Sequence, residues 1–168
     1  MNKEEIYSFL TAQGVPFEKT EHGAVYNMEQ LAALKLPYPD REGKNLFLRD
    51  EKREQYVLLT VRGDKQVDLT AFRKANGLKA RSFASPEELM ALLGLEPGGV
   101  TPLGLLNDAA RRVRFYLDRE LMEGVIGVHP NENTATVWVQ AEDLVRLVRD
   151  HGNEVHVVEI PERKEAHL

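Results

Sequence analysis

The first fourteen residues predict an amphipathic helix. Ile6 and Leu10 recur at helical spacing and would share one apolar face, with polar positions between them. Asn2 and Glu5 are three residues apart, which is the pattern of a capping box at a helix start. Gly14 follows the apolar stretch and can end the helix, because glycine readily adopts the left-handed conformation of a helix terminus.

Similar signals mark further helices. Asn27 with Gln30 precedes LAALKL, Asp68 precedes LTAFRKAN with Gly77 at its end, and Ser85 precedes PEELMALL with Gly94 at its end. The signal at Ser85 is the strongest, since a proline at the first helical position and a glutamate at the third follow the serine. A last helix is predicted from about Ala141 to His151, with Gly152 as its stop.

Runs of a different kind lie between these helices. They are short, rich in Val, Ile, Phe, Tyr and Thr, and cover residues 44–50, 55–63, 113–118, 124–128, 134–140 and 154–160. The connection EKREQ between the first two has the length of a hairpin loop, so those strands should pair antiparallel. Helices alternate with groups of strands along the chain. This order predicts an α+β (mixed α/β) domain, in which helices pack around a mixed sheet. A doubly wound nucleotide-binding fold is not predicted, because no glycine-rich turn joins the first strand to a helix.

Length and composition place the chain among ordinary globular proteins. Its 168 residues, 42% hydrophobic and 29% charged, fit one domain over residues 1–160 with a polar tail at 161–168. The absence of cysteine excludes disulfides, thiol nucleophiles and thiolate metal ligands. The first residues lack the apolar core of a signal peptide and no apolar run approaches membrane-spanning length, so a cytoplasmic protein with no membrane contact is expected.

The net charge of −5 argues against a general DNA- or RNA-coating protein. Two local basic clusters stand out against it. They comprise Arg73, Lys74, Lys79 and Arg81 in the first, and Arg111, Arg112 and Arg114 in the second. Such clusters are commonly solvated surface. On an acidic protein they also suit a transient contact with tRNA, and no DNA partner is predicted.

Familiar catalytic devices are missing from the sequence. It has no GxSxG elbow, no P-loop, no HExxH motif and no acidic pair with recognisable spacing. The five histidines are His22, His129, His151, His156 and His167. None is spaced from another as a pair of metal ligands would be, so no metal site and no cofactor are predicted.

Three segments carry the candidate chemistry. They are GKNLFL at 43–48, PGGVTPLG at 97–104 and GVHPNENT at 127–134. In the first, Lys44 enters an apolar strand, either as a charged strand-edge residue or as a cation that meets a phosphate. In the second, three glycines and two prolines fix an irregular backbone that can approach a ligand or simply connect two elements. The third puts His129 at the rim of a sheet, where it either satisfies a turn or faces a site.

In this order and at these separations, KNLFL, GGVTPLG and HPNENTATV resemble the YbaK/prolyl-tRNA-synthetase-associated superfamily. The LFL run and the HPxxNxAT pattern are most similar to its free-standing ProXp-ala (PrdX-like) branch. The resemblance extends to about residue 160. It implies a mixed sheet curled into a barrel-like core with flanking helices, and hydrolysis of the ester between an amino acid and the terminal adenosine of a tRNA. Alanine on tRNA-Pro is the implied substrate, and prolyl-tRNA synthetase is a possible partner.

The resemblance also implies roles for individual residues. Lys44 would hold the 3′-end through a phosphate, and Gly98 and Pro102, with Thr101 between them, would form the GxxxP loop that orients the ester and the attacking water. His129 would line the amino-acid pocket. Its implied neighbours in substrate binding are Asn45, Gly99 and Asn133. No protein nucleophile is expected, because the family is thought to use the ribose hydroxyl of the substrate.

Three alternatives remain open at this point. The protein could deacylate another mischarged tRNA, such as cysteinyl-tRNA-Pro, since the volume of a pocket is not encoded in a motif. It could bind a tRNA or a synthetase without cleaving anything, although intact motifs count against that. A metal-dependent hydrolase would need paired ligands, which the sequence does not offer.

Overall fold

The structure, a computed structural model, describes residues 1–164 apart from Val25, Met28, Leu31, Ala32 and Lys35. The helices are α1 (Lys3–Ala12), α2 (Leu69–Asn76), α3 (Pro86–Leu93) and α4 (Ala141–His151), with 3₁₀ turns at Pro102–Asn107 and Arg119–Leu121. The strands are β1 (Phe17–Glu21), β2 (Gly43–Arg49), β3 (Tyr56–Arg62), β4 (Ser82–Phe83), β5 (Val113–Asp118), β6 (Val125–Val128), β7 (Ala135–Gln140) and β8 (Val155–Val158).

The predicted helix starts are confirmed by their hydrogen bonds. Asn2 and Ser85 each form a reciprocal capping box with the glutamate three residues on. Asp68 accepts from the backbone N–H of Ala71, which caps α2. At Asn27 the predicted cap is present, because its side chain accepts from the Gln30 N–H at 2.8 Å. Of the helix predicted over LAALKL, Leu31, Ala32 and Lys35 lie outside the described residues, and Ala33, Leu34 and Leu36 are not helical.

The six predicted strands are confirmed, and the described strands form two sheets. One has the order β4-β2-β3-β5-β8 and the other β1-β7-β6. β2 and β3 pair antiparallel, as their short connection predicted, whereas β3-β5 and β5-β8 are parallel. The mixed α+β architecture is therefore confirmed. The barrel-like closure is not, since no strand of one sheet pairs with a strand of the other in the part of the chain described, and an isolated bridge joins Glu42 to Gly127 instead.

β3 lies at the centre of the larger sheet and is buried on both faces. Leu58 points into a core shared by the two sheets and by α1, α3 and α4. Val57, Leu59 and Val61 point to the other face, where they pack with Phe72 of α2. Burial on both faces explains why this strand is almost continuously apolar rather than alternating.

The C-terminal residues continue this packing beyond β8. Ile160 is buried in the second core, and a bridge joins Glu162 to Val67. The backbone N–H of Arg163 donates to the carbonyl of Gln66 at 2.7 Å. The first three residues of the predicted polar tail at 161–168 are thus paired with the segment before α2.

Gly127 is the point where the two sheets approach each other. Its N–H donates to the carbonyl of Arg41 at 2.9 Å, beside the bridge to Glu42. On its own sheet it faces Trp138, and a Cβ at position 127 would lie 2.4 Å from the Trp138 ring. Trp138 is 1% exposed, so the ring cannot move aside into solvent.

We expect Gly127→Ala to destabilise the protein by about 1–3 kcal/mol, because the added methyl overpacks a closed contact. Gly23→Ala is the matched control, since a Cβ there meets nothing within 4 Å; its effect should stay within about 0.5 kcal/mol. Urea denaturation followed by the fluorescence of the single tryptophan measures both. Equal stability of the two variants would contradict the close approach of Gly127 to Trp138.

Candidate active site

The GxxxP loop is held rigidly between α3 and the following 3₁₀ turn. Gly98 has φ +86°, a left-handed conformation that favours glycine. Thr101 is fully buried, and its hydroxyl accepts from the N–H of Leu103 at 3.3 Å. The N–H of Gly104 donates to the carbonyl of Thr101 at 3.1 Å. The Thr101 hydroxyl therefore supports the backbone of the loop from inside the protein.

Asn45 joins this loop to the larger sheet. Its Nδ2 donates to the carbonyl of Val100 at 3.1 Å, and its Oδ1 accepts from the hydroxyl of Thr60 at 2.5 Å. Thr60 is the fully buried polar residue of β3, directly opposite Asn45 in the strand pairing. One side chain thus places the middle of the GxxxP loop against the start of β2.

Lys44 lies on the other face of the strand, because successive side chains alternate. Its Nζ donates to the carbonyl of Lys65. Partial burial lowers the pKa of Lys44, and nearby Asp64 opposes that shift. The structure therefore does not bring the Lys44 ammonium into contact with the loop, but places it at the same end of β2.

Lys65, whose carbonyl accepts from Lys44, has its own side chain in a buried ion-pair network that sequence reasoning missed. Lys65 is 5% exposed, and its Nζ contacts Asp118 at 2.6 Å and Glu120 at 2.9 Å. Burial works against the charge of Lys65, yet the hydrogen bonds to these two carboxylates raise its pKa. The network fixes the turn after β3, and with it the position of the Lys44 side chain.

His129 comes directly after β6, at the rim of the smaller sheet, as the sequence predicted. Its Nδ1 lies 2.8 Å from the carbonyl of Ala135. Because a carbonyl only accepts, Nδ1 carries the proton, and Nε2 is the acceptor nitrogen of the neutral ring. Burial lowers the pKa of His129, against the raising effect of the Ala135 bond, and nearby His22 lowers it further.

His22 is a neighbour of His129 that the sequence did not reveal. The two ring centroids are 6.1 Å apart in an edge-to-face arrangement. Its Nδ1 lies 2.8 Å from the carbonyl of Gly23 and its Nε2 lies 2.9 Å from the hydroxyl of Thr136. The antiparallel pairing of β1 with β7 brings position 22 here, since the His22 N–H donates to the carbonyl of Thr134 at 3.0 Å.

The turn after His129 joins β6 to β7 and approaches the GxxxP loop. Asn131 has φ +64°, and its Nδ2 donates to the Met1 carbonyl at 2.8 Å. A Cβ on Gly99 would lie 4.0 Å from the backbone nitrogen of Asn133. Asn133 thus borders the GxxxP loop, and the second and third motifs of the sequence meet in space.

A cleft of about 350 Å³ opens where these two motifs meet. Its described lining residues are Tyr26, Met90, Gly94, Glu96, Pro97, Gly99, Asn131, Glu132, Asn133 and Thr134. Lys44 and His129 are not among them. The candidate site therefore consists of this cleft, and Lys44 and His129 lie outside its described lining.

The two basic clusters both reach the turn between β2 and β3. Arg112 donates from Nη2 to the carbonyl of Arg53 at 3.2 Å, and the N–H of Lys79 donates to Oε1 of Gln55 at 2.7 Å. Arg81 lines a cleft over the same turn.

The other members of the two clusters lie elsewhere. Lys74 is exposed on α2, while Arg73 is half-buried. Arg111 is exposed and donates to the His151 carbonyl, and Arg114 pairs with Glu154.

Two kinds of feature are missing from the described residues. These residues contain no group of three or more His, Cys, Asp or Glu side chains placed to hold a metal ion. No helix among them is long and apolar enough to cross a membrane. The absence of a metal from the reaction stays a prediction.

Residues 22–147 match the family model of the aminoacyl-tRNA editing domain. The chain belongs to this editing-domain family. The match begins at His22 and spans the three motifs and both histidines of the site. It thereby covers β2 to β7, which build the candidate site.

Relatives of the editing domain extend the similarity over nearly the whole chain. The prolyl-tRNA editing protein ProX of Acetoanaerobium sticklandii is 34% identical over 159 residues, which cover 94% of this chain and 97% of the relative. The prolyl-tRNA synthetase associated domain-containing protein 1 of Bos taurus is 31% identical over 150 residues, covering 86% and 87%.

Solved structures share the fold of this editing domain. The crystal structure of a candidate trans-editing enzyme for prolyl tRNA synthetase superposes with a TM-score of 0.72 at 22% identity, covering 96% of this chain and 97% of the other. A hypothetical protein gives a TM-score of 0.73 at 20% identity, with coverage of 95% and 99%. At these identities the comparison supports the fold alone.

The lowered pKa of His129 predicts a pH dependence of stability. The unfolded chain takes up the His129 proton at about pH 6.5, whereas the native ring takes it up at lower pH. Between these two values the unfolded state binds more protons, so the free energy of unfolding rises with pH. Acidification from pH 7.5 should therefore destabilise the wild type once the pH falls below about 6.5.

His129→Asn is the comparison for this experiment, because an amide can still donate to the Ala135 carbonyl but does not titrate. We expect the stability difference between wild type and variant to change by at most about 1.4 kcal/mol per pH unit in that window. Urea denaturation at a series of pH values gives the two curves. Parallel curves would contradict a buried neutral imidazole.

Proposed function

We propose that this protein is a trans-editing deacylase that hydrolyses the ester of mischarged tRNA-Pro, with alanine as the amino acid removed. The observation that carries the proposal is the 34% identity over almost the full chain to a prolyl-tRNA editing protein. The three motifs fall within the matched editing domain. The substrate partner is accordingly an aminoacylated tRNA, and a cytoplasmic location and a contact with prolyl-tRNA synthetase remain predictions.

The arrangement of the loop supports hydrolysis without a side-chain nucleophile. An aminoacyl ester is already activated, so a positioned water and modest stabilisation of the developing oxyanion can supply much of the acceleration. The backbone of Gly99 lines the cleft and can approach a substrate closely, because this residue has no side chain. We assign Thr101 and Pro102 to positioning this backbone, since both are buried.

The polar side chains around the loop take separate roles in this proposal. Lys44 holds a phosphate near the 3′-end. Because it lies at the start of β2 and does not contact the GxxxP loop, the loop remains available to bind the ester. Asn45 keeps the loop in place through its bond to Val100. Asn133 and His129 border the amino-acid end, and the neutral ring of His129 adds bulk without adding charge.

Size exclusion is the physical basis for removing alanine and sparing proline. Favourable contacts with one methyl group are worth only about 1–3 kcal/mol, which is too little for accurate selection. A pocket that admits a methyl group but clashes with a pyrrolidine ring discriminates much more strongly. This is the second sieve of double-sieve editing.

The basic residues around the β2-β3 turn suit the stem of the same tRNA. Those at the turn are Lys79, Arg81 and Arg112. They lie at the end of β2 away from Lys44, about 17 Å along a strand that rises roughly 3.3 Å per residue. The other members of the two clusters, Arg73, Lys74 and Arg111, are proposed to extend this contact. Affinity from so few phosphates should be weak and sensitive to salt, as a transient substrate requires.

Lys44→Met tests the proposed phosphate contact, because methionine keeps most of the half-buried stem and removes the charge. A charged hydrogen bond is worth about 1.5–3 kcal/mol, so kcat/KM for alanyl-tRNA-Pro should fall roughly 10- to 150-fold. Lys164→Ala, at an exposed lysine near the C-terminus, is the control and should retain activity. A folded Lys44→Met protein with normal kcat/KM would remove Lys44 from the site.

Selectivity is tested on tRNA-Pro charged with alanine, cysteine, serine or proline. The wild type should cleave the alanyl ester readily and the prolyl ester hardly at all. Preferred cleavage of the cysteinyl ester would reassign the amino acid. Binding without any hydrolysis would make the protein a tRNA-binding module, and equal cleavage of the prolyl ester would overturn the editing proposal.

His129→Ala should enlarge the pocket in the same assay. We expect the ratio of kcat/KM for seryl to alanyl esters to rise about 10- to 100-fold, since one or two contacts are lost. His156→Ala is the control, at a half-exposed histidine on β8 that stacks on Tyr116. An unchanged ratio in folded His129→Ala would take His129 out of the pocket wall.

A further inference from the structure

Tyr26 is an aromatic residue that the motifs do not include. Its side chain is 66% exposed, the highest value among the large hydrophobic residues found exposed in the described chain. A ring this exposed contributes little to the core, and Tyr26 also lines the cleft where the second and third motifs meet. Its position beside the GxxxP loop therefore calls for a functional explanation.

The Tyr26 ring lies directly on Gly98. A Cβ at position 98 would be 2.9 Å from Cδ1 of Tyr26 and 3.6 Å from its Cε1. Gly98 also has a left-handed φ of +86°. Backbone conformation and ring contact together require glycine at this position, and the ring is supported by the loop on one side and open to solvent elsewhere.

The backbone of Tyr26 is also held in place. Its N–H donates to Oε1 of Gln30 at 2.8 Å, and the N–H of Gln30 donates to the Asn27 side chain at 2.8 Å. The exposed ring is therefore presented by a residue that is hydrogen-bonded at the helix cap of Asn27. A ring presented in this way loses little conformational freedom when a ligand binds on it.

The charges in the cleft indicate what could bind on the ring. Glu96 and Glu132 both line it, and its described lining includes no lysine or arginine. A phosphate would be repelled here. A flat, uncharged base with an exocyclic amino group suits both the ring and the carboxylates, because the amino group can donate to them.

We propose that Tyr26 is the stacking platform for the terminal adenine base of the aminoacylated tRNA. This inference rests on the proposed function. The base and the aminoacyl ester are attached to the same ribose, so a base stacked on Tyr26 leaves the ester next to Gly98 and Gly99. Stacking on an aromatic side chain is the common means of holding an unpaired base.

Binding of two non-hydrolysable analogues tests the platform. One is 3′-alanylamino-3′-deoxyadenosine, and the other is the same ribose derivative without a base. Tyr26→Ala should weaken binding of the adenosine analogue about 5- to 150-fold, the usual worth of one base stacked on an aromatic ring. Tyr26→Phe should keep the wild-type affinity, because the face of the ring is retained. Isothermal titration calorimetry measures all the affinities.

The analogue without a base separates stacking from mere support of the loop. Its affinity should be low and the same for wild type and Tyr26→Ala. Equal losses for both analogues would mean that the ring only supports Gly98, and no loss for the adenosine analogue would also overturn the platform. Phe83→Ala, at a 61% exposed ring on β4, is the control and should bind like wild type.

Failure of the platform and failure of the proposed function give different results. If the wild type cleaves alanyl-tRNA-Pro while Tyr26→Ala binds the adenosine analogue normally, only the platform is wrong. If the wild type neither cleaves the ester nor binds the adenosine analogue, the proposed function is wrong and the platform falls with it.

Discussion

The hydrogen-bond chain from Thr60 through Asn45 to Val100 determines where the site can form. Thr60 is fully buried in an otherwise apolar strand, and a buried hydroxyl without a partner costs about 1–3 kcal/mol. The amide of Asn45 satisfies that hydroxyl, and its own NH₂ group then reaches the carbonyl of Val100. A requirement of the core thereby fixes the GxxxP loop over β2. Loop position and core stability depend on the same side chain.

The alternation of side chains along β2 separates two kinds of chemistry. Asn45 serves the loop on one face, and Lys44 meets the carbonyl of Lys65 on the other. Charge is concentrated on the Lys44 side, where Lys65, Asp118 and Glu120 form their network. The loop side has backbone groups and the buried Thr101, and its cleft is lined by Glu96 and Glu132 with no lysine or arginine among its described residues. In the proposed function, such a division would keep the phosphate of a substrate away from the position of its ester.

Local signals in the sequence predicted the elements well. The capping boxes at Asn2 and Ser85 and the short β2-β3 connection involve residues only a few positions apart, so spacing alone reveals them. β1 escaped prediction because FEKTE is mostly polar and is ordered by its pairing with β7. The division into two sheets depends on contacts such as Gly127 against Trp138, which no local pattern encodes.

The residues of the candidate site also divide into those that local sequence segments predicted and those that only long-range contacts reveal. The motifs and the resemblance they carry indicated the GxxxP loop, Lys44 and His129, because each is a compact sequence segment. His22 meets His129 only after β1 and β7 pair, and Lys65 is buried only because Asp118 lies opposite it. A surface lysine and a buried paired lysine look alike in a sequence. Long-range contacts therefore decide which polar residues support a site.

The neutral state of His129 has a consequence for the chemistry of this region. A charged imidazolium would repel the α-ammonium group of an aminoacyl ester. The carbonyl of Ala135 holds the proton on Nδ1, and burial lowers the pKa of the ring. Nε2 is then an acceptor, which can receive a hydrogen bond from an ammonium group. If His129 borders the amino-acid end of the substrate, as proposed, a neutral acceptor there can orient the ester without repelling its ammonium group, and the shape of the pocket is left to select the substrate.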